Sequence, residues 1–167
     1  VLRRLATPAA TEMLIDALGH PDPSTRDRAI DALHRLRRDE PALTILDAPG
    51  LERQVRQQAD DYERLCSAER ALLAHGGRVD DSSSWLIKAV AGQRRRILER
   101  TFKLLSLRYP VQEIGESWRA LEGGNPVEWA NAVEWLDNLL PRPMKRRLLP
   151  LIEHSAGDEL PNGRTVA

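Results

Sequence analysis

The chain has 167 residues, 25 of them basic and 25 acidic, and a single cysteine. That length buries an apolar core without disulfides, and the zero formal charge excludes the whole-chain field that draws strongly basic proteins to nucleic acid or anionic membranes, leaving only local patches. Cys66 stands among apolar helix positions and reads as a buried thiol in a reducing cytoplasm, while no run approaches the roughly 18 apolar residues of a bilayer span.

Thr7-Pro8 opens the first helix, because a threonine side chain accepts an orphan amide and proline is tolerated at the first helical position; Gly19 closes it. Asp22-Pro23 opens the second in the same manner, with Ala29, Ile30, Leu33 and Leu36 at the three-and-four spacing of one buried face. These two are expected to form an antiparallel hairpin. Pro41 and Pro49 bracket a connector in which Thr44-Ile45-Leu46 reads as a short helical turn. A long helix from about residue 51 to 75 follows, striped by Leu51, Val55, Ala59, Tyr62, Cys66 and Leu73 and stopped by Gly76-Gly77. The polar loop Asp80 to Ser84 also caps the next helix, from about 84 to 108, whose stripe runs through Leu86, Val90, Ile97, Thr101 and Leu105. At 1.5 Å per residue each is about 37 Å long, and a matched pair with a short joint folds back on itself as a long hairpin.

A fifth helix starts at Pro110 or Val111 and ends at Gly123-Gly124, and a sixth runs from Asn125-Pro126 to about Leu140. Pro141-Arg142-Pro143 begins a seventh, carrying Met144, Leu148, Leu149, Leu151 and Ile152 as a terminal cap. Beyond His154 the apolar spacing is lost, so residues 1–156 read as the domain and 157–167 as a disordered tail. No segment alternates with period two, and no sheet is expected. The chain opens on Val1 with no charged leader and apolar stretch, which reads as a soluble piece of a longer protein.

The second and sixth helices carry one cassette twice. Asp22 to Leu36 aligns without a gap on Asn125 to Leu139, with Pro23/Pro126, Ala29/Ala132, Leu33/Leu136 and Leu36/Leu139 identical. A self-similar unit that cannot bury its apolar face alone stacks on its neighbours. The expected fold class is therefore all-α, an antiparallel helical repeat stack (α-solenoid) interrupted by the long central hairpin. The cassette resembles the second helix of a HEAT repeat, with Asp22 in the turn and Arg26 at the position where that family carries a basic residue. The resemblance implies a ladder of hydrogen bonds between Asp and Arg of adjoining repeats, although Asn125 and Trp129 break the pattern in the second copy. Residues 98–110 together with Trp118-Arg-Ala-Leu, Ala132 to Leu140 and Lys145 to Leu151 are similar to soluble HEAT-like modules fused behind bacterial membrane carriers of the ATP/ADP translocase type. That similarity implies attachment to an inner-membrane carrier on its cytoplasmic face; it transfers no transport residue to this chain.

Enzymatic constellations are missing from the sequence. His20, His34, His75 and His154 stand singly, the lone cysteine cannot build a zinc knuckle, and both Gly-Gly pairs fall where helices stop. No catalytic, cofactor or metal residue is therefore assigned. Asp60-Asp61 lies beside Arg56 and Arg64, in reach for surface ion pairs. The candidate interaction surface consists of Arg26, Arg37, Trp129 and Asn138 along the second helices of the repeat units, the mid-helix run Arg94-Arg95-Arg96, and the cluster Arg142, Lys145, Arg146 with Arg147. Of four tryptophans, Trp118 and Trp135 sit on core stripes, while Trp85 and Trp129 are placed to serve as interface anchors. The expected function is a non-enzymatic interaction or regulatory module whose partner is protein, its own carrier domain or another chain, with contact to the membrane surface through the second basic cluster. The alternative is a nucleic-acid-binding HEAT-like protein using the arginine clusters and an exposed Trp, against which the zero net charge argues.

Overall fold

A short polar residue followed by proline starts both cassette helices. Asp22 accepts the Thr25 hydroxyl at 2.7 Å and the Thr25 amide at 2.9 Å, bonds that hold its carboxyl below the ordinary range. Asn125 accepts the amides of Val127 and Glu128 at 3.0 and 3.4 Å. Both satisfy donors that a helix start leaves open. Behind the two caps the equivalent pairs Ala29/Ala132 and Leu33/Leu136 are all buried, so the sequence repeat is also a repeat of environment.

The computed structural model describes residues 8–75 and 81–159. They form seven helices and no strand: α1 (Pro8–Ala17), α2 (Pro23–Asp39), α3 (Ala48–His75), α4 (Asp81–Ser106), α5 (Val111–Glu122), α6 (Pro126–Leu139) and α7 (Arg142–Glu159). The expected signals at Thr7, Gly76-Gly77 and Asp80 lie outside the described residues. Gly124 makes the α5–α6 turn with φ +69°, a region open to glycine at little cost.

The long hairpin α3–α4 is the centre of the molecule, and α4 is its hub. Helices α2, α5 and α7 all lie against α4; α7 also packs along α3, and α6 joins α5 to α7. Leu51, Val55, Ala59 and Tyr62 of α3 face Ile97, Leu98, Phe102 and Leu105 of α4 within one continuous core. Burial of this kind, at about 25 cal/mol per Å² of apolar surface, is the main stabilising term.

Several expectations are corrected. Helix α7 is not a terminal cap: Met144, Leu148, Leu151 and Ile152 recur on one face, and all are buried, with α7 seated on α3 and α4. It also remains helical to Glu159, past the point where the sequence loses its apolar spacing. Thr44 to Leu46 is not a helical turn. The Ile45 amide donates to the Leu107 carbonyl at 2.9 Å, and Ile45 and Leu46 are buried, so a tertiary bond outweighs the local one. Leu86 is off the core at 39% exposure, and Cys66 is half-buried. Helix α3 starts earlier than its apolar stripe because Asp47 accepts the Gly50 amide at 2.8 Å, a cap the sequence reading passed over.

Candidate interaction surface

The arginines decide where a surface is left for a partner, because most of them are engaged inside the molecule. Arg37, proposed from sequence as a groove residue, is 5% exposed. Its Nε donates to the Ser106 carbonyl at 3.0 Å, one Nη to the Pro41 carbonyl and the other to the Tyr109 carbonyl at 3.4 Å. The last carbonyls of a helix lack intrahelical partners and carry partial negative charge, so the guanidinium closes the end of α4. Arg26 is used locally. It donates to the carbonyls of His20 and Pro21 at 2.9 and 2.8 Å, tying down the α1–α2 turn.

Arg94 is 3% exposed and stands between α3, α4 and α7. It lies 2.8 Å from Glu69 Oε2, 3.2 Å from His154 Nε2 and 3.7 Å from Cys66 Sγ. Its guanidinium carbon is 6.0 Å from the centre of the Tyr62 ring, against whose edge the His154 ring packs at 6.2 Å. The run Arg94-Arg95-Arg96 is therefore not one face. Arg95 crosses to Glu122 of α5 at 2.6 Å, while Arg96 is exposed. Glu99, further along α4, pairs with Lys103 at 2.8 Å.

The second basic cluster is partly neutralised across helices: Lys145 reaches Asp137 at 3.2 Å and Arg147 reaches Asp60 at 3.1 Å. Arg142 and Arg146 remain exposed, as does Asn138. Trp129 is half-buried against the core and is not an exposed anchor. Trp118 packs as expected, 5.0 Å from the Phe102 ring. Consequently Arg26, Arg37, Trp129 and Asn138 do not line a common groove. Arg142, Lys145 and Arg146 do group together at the start of α7.

Apolar surface is left open along the α3–α4 hairpin. A cleft of about 270 Å³ lies between α3, α4, α5 and α7, with Leu98, Trp118, Leu121 and Ile152 in its walls and the Arg95–Glu122 pair at its edge. Two turns before Gly92, a cleft residue, α4 presents Trp85 on the same face at 68% exposure. Leu86 beside it and Leu72 near the end of α3 are 39% and 42% exposed. Thus Trp85 is exposed as the sequence allowed, whereas Leu86 was hidden from sequence reading because it fits the apolar stripe of α4, and Leu72 lies off the stripe of α3.

The spacing of His34 and Ser106 gave no signal, yet the fold brings His34 Nδ1 to 2.7 Å from Ser106 Oγ. Ser106 is fully buried and its hydroxyl donates to the Lys103 carbonyl at 2.6 Å, so His34 Nδ1–H supplies the proton of the shared bond. Burial first, and then the charges of Lys103 and Arg38, push the His34 pKa below its ordinary value, which keeps the ring neutral. A serine with no access to solvent and its proton committed to a carbonyl is a structural group. Among the described residues no three His, Cys, Asp or Glu side chains converge as metal ligands, and no helix is long and apolar enough to cross a membrane.

Comparison of the chain with family models, curated proteins and solved structures returns no significant match.

Proposed function

We propose that this chain is a non-enzymatic, HEAT-like interaction module that docks on protein through the tip of the α3–α4 hairpin. The exposed trio Leu72, Trp85 and Leu86 supports this most directly, because large apolar side chains are left in water there. Tryptophan is the side chain most enriched at the centres of protein interfaces, where its ring is covered by a partner. The cleft beside Gly92 continues the same face of α4 and gives a partner segment a second point of contact.

The partner we favour is the membrane-carrier domain of the chain's own parent, in keeping with the similarity of residues 98–151 to modules behind ATP/ADP translocase-type carriers. The module then works at the cytoplasmic face of the inner membrane, where a tether supplies a high local concentration and a weak contact is sufficient. The nucleic-acid alternative loses support from the arginines: Arg37 and Arg94 are buried, and Arg95, Lys145 and Arg147 are ion-paired within the molecule. Reading the coding frame upstream of Val1 tests the attachment. About a dozen apolar spans of roughly 20 residues are expected there; a start codon at that point, or an upstream domain without such spans, removes the carrier from the proposal.

A further inference from the structure

Helices α5 and α6 enclose a second groove, on a part of the surface that the hairpin tip does not share. Its floor is apolar, formed by Ala120, Ala132 and the half-buried Trp135. Its charged rim is of one sign: Glu113, Glu116 and Glu128, with no basic residue among the lining side chains. The first-turn positions of Glu113 and Glu128 favour the starts of their own helices. That accounts for their place along the chain but leaves three carboxylates about one apolar trough. Six acids elsewhere on the molecule, Asp27, Asp31, Asp60, Glu69, Glu122 and Asp137, reach cations. Among the described residues Glu113, Glu116 and Glu128 make no ion pair; the Glu116 carboxylate accepts from the Gln112 side-chain amide and the Glu128 carboxylate from that of Asn125. The local charge has the same sign: residues 111–139 carry six acids and the single base Arg119, and among the described residues only Glu122 and Asp137 of the six are paired, with Arg95 and Lys145 of other helices.

We infer that the α5–α6 groove is a docking site for a cationic amphipathic helix of another protein. An apolar stripe at three-and-four spacing settles on Ala120, Ala132 and Trp135, while flanking Lys or Arg side chains meet the glutamate rim and lie over the indole. Charge complementarity selects the partner and speeds its approach. A small trough between helices has room for one such ridge of side chains.

The probe is a labelled synthetic helix of leucine and lysine at amphipathic spacing, titrated against the whole chain and followed by fluorescence anisotropy. The expected result is saturable binding at low salt that weakens about tenfold in the triple variant Glu113→Gln/Glu116→Gln/Glu128→Gln and also weakens as salt is raised. The triple variant Glu12→Gln/Asp39→Asn/Glu40→Gln, which removes three exposed acids elsewhere, is expected to bind as the parent does. Equal weakening in both variants would mean unspecific attraction and overturn the site, as would absence of binding at low salt. Sedimentation of the chain alone covers the remaining occupant. A dimer that the groove variant dissolves would assign the trough to the start of α7 in a second copy and overturn the separate partner.

Discussion

Arg37→Ala is expected to lower unfolding stability by about 3 kcal/mol, one of the two largest single-residue effects in the molecule. The side chain is buried and donates to the carbonyls of Ser106, Pro41 and Tyr109. Truncation leaves those acceptors in an apolar setting, and an orphaned buried acceptor costs about 1–3 kcal/mol. It also loosens the 40–47 connector, whose other ties to the end of α4 are the Ile45–Leu107 backbone bond and the Arg108 side-chain bond to the Leu46 carbonyl. Arg37→Lys should recover less than half of the loss, because one ammonium lacks the planar fork that spans three carbonyls. Denaturant midpoints of the two variants test this. A loss below about 1 kcal/mol for the alanine variant would show that water replaces the guanidinium at these carbonyls.

The second large effect belongs to the Glu69–Arg94 pair. Glu69→Ala removes the carboxylate 2.8 Å from a guanidinium that is almost wholly buried. Stripping a buried charge of its counter-ion costs about 3–5 kcal/mol, whereas exchanging both partners for apolar residues of similar volume is far milder. The double variant Glu69→Leu/Arg94→Met is therefore expected to be more stable than Glu69→Ala alone, and the cycle it closes with the single variants Glu69→Leu and Arg94→Met is expected to give a coupling of about 2 kcal/mol. Thermal or urea unfolding of the cycle checks it. If the two single losses simply add, the ion pair has no energetic role and the contacts of Arg94 with His154, Cys66 and Tyr62 hold the three helices together.

Local physics made much of this fold legible. Asp22-Pro23 and Asn125-Pro126 announce helix starts because the cap and the proline act within one turn, and the copied pairs Ala29/Ala132 and Leu33/Leu136 reveal shared burial by spacing alone. Features decided by contacts distant along the chain were illegible. Arg37 and Arg94 look like surface cations in a charged helix; only the meeting of α2 with the end of α4, 69 residues away, and of α4 with α3 turns them inward. The same holds for α7. Its apolar spacing fits an end cap as well as a core helix, and the choice is made by its seat on α3. Trp85 was readable as an exposed candidate because it falls near the start of α4, but Trp129 was misjudged, since its position in the cassette says nothing about how closely α6 lies on the core. The glutamates of the α5–α6 groove read as scattered helix charges until two helices bring them round one trough.

Hydrogen exchange on the full product of the coding frame tests the proposed protein docking at the hairpin tip most directly. Amide exchange over residues 83–92 is compared with that of the isolated chain and of a parent carrying Trp85→Ala. Slower exchange is expected in the parent, with the protection lost in the Trp85 variant while the 97–105 core of α4 exchanges alike in all three. Identical exchange over 83–92 in the parent and the isolated chain would contradict it.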